Sequence, residues 1–265
     1  MTMEELALPK NLEGLTGLNI NCAGKQLPRM LPQLDSLQVD SAQLSNSQLG
    51  SPQQFTHLSF SDFPAGCRVC VYQLFRDIKL NGFTSLLEFS VVRHYVDDFA
   101  VSLDHIIFPR SLQKLVLQGL GLLTVPSSVY ELDNLLELSL ANNLLFSIAD
   151  LTRAPALRSV KSLDVSLNRL SLIPPTIGFM ENLQNLNISK NCIKEELPQT
   201  IRLLVNLTHL DVSWNRITGI PDNTLVTTQL HEADLSHNKL THVPASLVNH
   251  PAVILDDNIN LISPE

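Results

Sequence analysis

Leu207-Thr-His-Leu210-Asp-Val212-Ser-Trp-Asn215 sets a frame that recurs down most of the chain, with apolar residues at positions 1, 4 and 6 and asparagine at position 9. Leu183-Leu186-Ile188-Asn191, Val160-Leu163-Val165-Asn168 and Leu135-Leu138-Leu140-Asn143 fill it, and Leu230-Ala233-Leu235-Asn238 fills it with one small residue. Counted at position 1, units start at residues 15, 34, 55, 86, 112, 135, 160, 183, 207, 230 and 250. From Leu112 the starts lie 20 to 25 residues apart, whereas earlier spacings run from 19 to 31. A period near 23 residues means stacked units, each burying its apolar face against its neighbours, rather than a globule with one centre.

The physics of one unit is short. Positions 4 and 6 alternate inward on a strand of about three residues. The chain then turns sharply, which leaves inward-facing backbone groups without ladder partners. A buried asparagine amide both donates and accepts there, and unsatisfied groups would otherwise cost ~1–3 kcal/mol each. After the turn an apolar-proline pair recurs: Val125-Pro126, Ile173-Pro174, Leu197-Pro198, Ile220-Pro221 and Val243-Pro244. Proline presets an extended bend and needs no donor. Val129 and Leu132, Ile177 and Met180, and Ile201 and Leu204 follow at spacings that face the core from the return side. That segment is too short for a long helix, so 3-10 or single helical turns are expected.

This frame, with its Pro-x-x-Ile-x-x-Leu return, resembles the leucine-rich repeat superfamily. Residues 112–258 look like the intracellular class of roughly 23 residues found in Ras-pathway scaffolds and plant Ras-group proteins. The resemblance implies an α/β fold: a right-handed solenoid, or horseshoe, with a parallel concave β-sheet and short 3-10, helical or extended convex segments. It further implies a protein partner bound on the concave face. Residues 1–14 are expected to form an N-terminal cap, 15–111 degenerate repeats with an insertion near 61–85, and 112–265 regular repeats ending in a C-terminal cap. In the doubtful stretch, Phe75-Ile78-Leu80 is either a further strand unit or part of an insertion or short helix.

Composition narrows the function classes. The 265 residues are 44% hydrophobic and 17% charged, enough apolar material for a core and too little charge for a disordered chain. A formal net charge of -8 gives no long-range attraction to nucleic acid or anionic lipid. Met1-Thr-Met-Glu-Glu5 lacks the basic start and apolar run of a secretory leader, and no run of apolar residues is long enough to span a bilayer. Cys22, Cys67, Cys70 and Cys192 do not cluster around the array, which points to a reducing, cytoplasmic setting. A monomer without cofactor is expected. Delivery into a host cell is the alternative if the chain is an effector.

No nucleophile elbow, phosphate-binding glycine loop or zinc-helix motif is present, so an enzyme is not expected. Cys67-x-x-Cys70 has half a zinc spacing but no second pair, and reads more simply as buried thiols. Five of eight histidines lie between 209 and 250, at differing repeat positions that do not converge as metal ligands must. The sequons at Asn187 and Asn206 matter only in a secreted protein.

Positions 3, 5, 7 and 8 are expected to project from the concave strands. Asp164, Asp211 and Asp234, with Ser166, Ser213 and Ser236, form the repeat's default solvated surface. Trp214, the single tryptophan, departs from the pattern between Lys190 and His237, and such aromatics are enriched at binding hot spots. His209 falls beside Glu232, a placement that favours the protonated imidazole. Arg169, Arg216 and Lys239 share position 10 on the rim. The expected contact grid is Lys190, His209, Asp211, Trp214, Glu232, Asp234 and His237. A non-catalytic scaffold or adaptor is the main reading. A bacterial-type effector acting by binding, and a regulatory subunit of an enzyme such as a phosphatase, are the alternatives.

Overall fold

The computed structural model describes residues 17–21, 36–40, 55–61, 75, 80–94, 100–225, 229–248 and 250–261, the first two stretches by backbone alone. Eleven strands pair in chain order into one parallel sheet. They are β1 (Gly17–Asn21), β2 (Ser36–Asp40), β3 (His57–Ser61), β4 (Glu88–Val92), β5 (Lys114–Gln118), β6 (Glu137–Ser139), β7 (Ser162–Asp164), β8 (Asn185–Asn187), β9 (His209–Asp211), β10 (Glu232–Asp234) and β11 (Val253–Ile254). Ten begin at position 3 of the frame, and β11 begins one place later. Parallel neighbours need a crossover between them. Here each crossover is the return segment of a repeat, and the array is a leucine-rich repeat horseshoe.

Register follows the leucine frame. Leu115, Leu138, Leu163, Leu186, Leu210 and Ala233 are Cα partners in succession across the sheet. All are at most 2% exposed, as are Leu140, Val165, Ile188, Val212 and Leu235 at position 6. Position 4 of one strand therefore lies beside position 4 of the next, and one slip would expose the whole apolar row. On the return side, 3-10 segments run over Ser127–Glu131, Pro155–Ser159, Pro175–Phe179 and Gln199–Leu203. A short helix, α1, covers Ala149–Arg153. Pro126, Pro174 and Pro198 cap three of the 3-10 segments at φ -57°, -66° and -67°. Val129, Leu132, Ile177, Met180, Ile201 and Leu204 are buried beneath them.

The turn after each regular strand closes on asparagine. Asn168 donates through Nδ2 to the carbonyls of Leu140, Val165 and Ser166 at 2.9–3.1 Å, and its Oδ1 accepts the Leu145 amide at 2.9 Å. Asn191, Asn215, Asn238 and Asn258 repeat that pattern on their own neighbours. Three carbonyls share two amide hydrogens, so part of each set is three-centred. The unit starting at Leu112 has Leu120 at position 9, and Asn143 of the next unit compensates. Its Oδ1 takes both the Leu120 and Leu122 amides, at 3.0 and 3.1 Å. Gly119 precedes Leu120 at φ +70°, and an added Cβ would lie 2.0 Å from the Arg93 carbonyl oxygen, so that close passage requires glycine.

The irregular units replace leucine with phenylalanine. Phe55–Phe83, Phe60–Phe89, Phe75–Phe89 and Phe89–Phe108 lie 6.0–6.2 Å apart between ring centroids, in tilted or edge-on contact. The larger rings pack against one another in the core of these units. Phe75 is helical and Leu80 opens the 3-10 turn Leu80–Gly82, both buried. The strand reading of Phe75-Ile78-Leu80 is thereby corrected, because β3 pairs directly with β4 and leaves no place in the sheet between them. Residues 1–14, Cys22, Cys67, Cys70 and Ile78 lie outside the described residues.

Truncating Leu186 to alanine should cost ~2–5 kcal/mol through its cavity, and Asn191→Ala ~1–3 kcal/mol through orphaned backbone groups. Urea unfolding measures both, and an unshifted midpoint in either variant would contradict the register.

Candidate functional site

The sheet's free face is built from the side chains that flank each inward leucine. Across β7–β10 the position-3 row is Ser162, Asn185, His209 and Glu232, and the position-5 row is Asp164, Asn187, Asp211 and Asp234. Together they line an open depression of about 350 Å³ whose floor is Leu163, Leu186 and Leu210. His209, Asp211, Glu232 and Asp234 of the expected grid meet there. Lys190, Trp214 and His237 are not part of this lining.

Position 5 has a local duty. Asp164 Oδ1 accepts the Ser166 amide at 3.0 Å, Asp211 the Ser213 amide at 2.9 Å and Asp234 the Ser236 amide at 2.9 Å. Asn187 does the same for Ser189 at 3.0 Å. These are Asx turns that end the strand. The expectation that position 7 projects from the face is corrected: Ser166, Ser189, Ser213 and Ser236 are 6–7% exposed. The aspartates are half-buried turn elements rather than plain solvated surface. Asp211 Oδ1 also takes the Ser213 hydroxyl at 2.7 Å, while each aspartate's second oxygen has no protein hydrogen bond among the described residues.

Position 8 lies past the strand, in the turn itself. Asn142, Leu167, Lys190, Trp214, His237 and Asp257 all adopt φ between 53° and 56°. Side chains other than glycine pay about 1–2 kcal/mol in this left-handed region. Here the Leu167, Lys190, Trp214 and His237 amides each bond the next repeat's carbonyl at 2.9–3.1 Å, which holds the conformation. Trp214 is therefore a turn residue rather than a strand residue, 54% exposed. Its ring stacks on His237 with centroids 3.9 Å apart and planes at 22°. His237 Nε2 in turn faces Asp257 Oδ2 at 3.1 Å.

His209 is the Cα partner of Glu232, but no ion pair joins them among the described residues. Its Nδ1 lies 2.9 Å from the Thr208 hydroxyl, and its ring meets His231 edge-on at 5.9 Å. Arg169, Arg216 and Lys239 are exposed at position 10. No group of three or more metal-ligating side chains converges among the described residues.

Two features escaped sequence reading. Glu88 and Glu137 flank Lys114 at 3.4 and 3.6 Å, with His57 4.0 Å from Glu88, so the N-terminal half of the position-3 row pairs with itself. These residues occupy position 3 of successive units, 23 to 31 positions from one neighbour to the next, and the strand register sets them side by side. The second is an outer ladder just before position 1. Asn134, Asn182 and Asn206 donate through Nδ2 to the Arg110, Arg158 and Glu181 carbonyls at 2.9–3.0 Å. Their shared Asn-Leu pairs were the available signal.

A leucine-rich repeat family model matches residues 158–217. Fibromodulin from Sus scrofa is 32% identical over 138 residues, 51% of this chain and 91% of the fibromodulin sequence compared. The chain belongs to the leucine-rich repeat superfamily. Lumican from Mus musculus is 31% identical over 138 residues, 51% of this chain and 40% of lumican. Adenylate cyclase from Schizosaccharomyces pombe is 32% identical over 155 residues, and the match covers 54% of this chain but only 9% of the cyclase. Among solved structures, Listeria monocytogenes InlP superposes with a TM-score of 0.63 at 19% identity, over 84% of this chain and 60% of InlP. The Drosophila Toll–Spatzle complex gives 0.64 at 20% identity, over 93% and 38%. At such identities these two support the fold alone.

Asp211→Asn should leave stability within about 0.5 kcal/mol of wild type, because Asn187 already fills the same turn seat. Asp211→Ala should cost about 1–2 kcal/mol by removing the acceptor. Chemical denaturation separates them, and equal losses would contradict the turn role.

Proposed function

We propose that this protein is a non-catalytic recognition module, a scaffold or adaptor that binds a protein partner on its concave face. The observation that carries this reading is the open depression across β7–β10, lined by His209, Asp211, Glu232 and Asp234 on the sheet face. Lys190, Trp214 and His237 extend the contact grid along the adjoining turns. A parallel sheet presents these side chains in a fixed array, so little ordering entropy is lost on binding. The leucine-rich repeat fold is consistent with protein–protein interaction in general, and an exposed tryptophan stacked on a neighbour is the kind of anchor that dominates interfaces.

The same reading treats residues 1–14 as a cap, 15–111 as degenerate repeats and 112–265 as regular repeats of one solenoid of the intracellular type. It places a monomer in the cytoplasm. No helix among the described residues is long and apolar enough to cross a membrane.

Affinity capture compares wild type with Trp214→Ala/Asp211→Ala and with the convex-face variant Phe179→Ala/Leu203→Ala. Loss of about 2 kcal/mol or more in binding is expected for the first pair and none for the second. Loss confined to the convex variant would overturn the concave reading.

A further inference from the structure

We propose that the C-terminal half of the concave face receives an extended, basic segment of a partner protein, with arginine or lysine side chains entering the depression and apolar contact made at Trp214. The proposal rests on the concave-face reading and adds the partner's chemistry to it.

The fold itself does not call for the charge found there. Position 5 must supply an oxygen to the amide two residues on, and neutral Asn187 does so at 3.0 Å, as Asp164, Asp211 and Asp234 do at 2.9–3.0 Å. Three of the four seats nevertheless carry carboxylates, and Glu232 adds a fourth to the same depression. Like charges on adjacent strands repel. Among the described residues, no lysine, arginine or histidine forms an ion pair with any of these four groups.

The other half of the same face is arranged differently. There Lys114 lies between Glu88 and Glu137 at 3.4 and 3.6 Å, and His57 faces Glu88 at 4.0 Å. One half of the sheet neutralises itself across strands, and the other half presents carboxylates that no described cation pairs with. A cation from outside the chain is the complement the second half lacks. Guanidinium suits it best, because its planar fork engages carboxylate oxygens in pairs.

Reach fixes the form of the segment. Four strands spaced about 4.8 Å apart span about 14 Å, the length of four or five extended residues at about 3.3 Å each. Alternate side chains of such a segment point down into the face. Trp214 lies in the turn that follows β9, three residues beyond Asp211, over half exposed and stacked on His237 at 3.9 Å. An apolar partner residue beside the basic ones meets it.

The test uses the full chain and a short fluorescein-labelled peptide alternating arginine and leucine, with a glutamate–leucine peptide of equal length as control. Fluorescence anisotropy should show binding of the basic peptide alone, weakening as salt rises. Asp164→Asn/Asp211→Asn/Asp234→Asn preserves each turn acceptor and should weaken binding by about tenfold or more. Glu88→Gln/Glu137→Gln removes charge from the self-paired half and should leave binding within about twofold. Equal weakening by the two variants would reduce the effect to net charge and overturn the proposal, as would failure of the basic peptide to bind. If a captured protein partner needs Trp214 but ignores the three asparagine substitutions, the concave-face reading survives and the basic chemistry falls.

Discussion

A chain that turns sharply after three strand residues must satisfy the backbone groups it has just pulled out of the sheet. In this protein the asparagine amide at position 9 does so, and its bonds run in two directions at once. Asn191 ties its own turn through the Ile188 and Ser189 carbonyls, and reaches the previous repeat through the Val165 carbonyl and the Leu170 amide. A local necessity thus becomes a repeat-to-repeat link. The leucines at positions 4 and 6 supply the apolar area, but they are interchangeable along the stack. The directional asparagine bonds are what hold each leucine row in register with the next. The unit starting at Leu112 shows the cost of doing without one: Asn143 must take two amides, and Gly119 must let the Arg93 carbonyl pass.

The working surface follows from that closure. Because the chain leaves the strand at position 6, position 5 is recruited to cap the turn and position 8 is forced into the left-handed region. Aspartate satisfies the first demand while leaving one oxygen for solvent or a partner. The second demand sets the side chain at position 8 on the turn that follows the strand. Trp214 and His237 stack there because the repeats bring equivalent positions together. Across β7–β10 the face therefore carries the position-5 aspartates beside turns that hold a stacked aromatic pair, and both arise from a single turn geometry repeated along the chain.

Much of this was legible in the sequence. The leucine and asparagine spacing predicted every strand start but the last, which β11 misses by one residue, and it predicted the buried amide ladder and the 3-10 returns. His209, Asp211, Glu232 and Asp234 were expected on the concave face and line its depression. The errors in the turn share one cause. Period-two alternation was carried past position 6, where the chain has already left the sheet, so Ser213 was placed on the surface and Trp214 on a strand. The proximity of His209 to Glu232 was inferred from strand register, which fixes Cα atoms but not rotamers. In the structure the ring turns towards Thr208 and His231. The unit starts already place Glu88, Lys114 and Glu137 at position 3 of successive units, but the ion pairs among them depend on side-chain rotamers that the spacing does not fix.

Native-state hydrogen exchange, resolved to single amides, tests the asparagine closure most directly. Leu145, Leu170, Ile193, Ile217 and Leu240 donate to the Oδ1 atoms of Asn168, Asn191, Asn215, Asn238 and Asn258. These loop amides belong to no strand, and should nonetheless exchange as slowly as the sheet, through openings of the whole stack. In Asn191→Ala the Leu170 amide should lose protection first, followed by its neighbours on both sides. Exchange of these five amides at the rate of exposed turns in the wild-type chain would contradict the account.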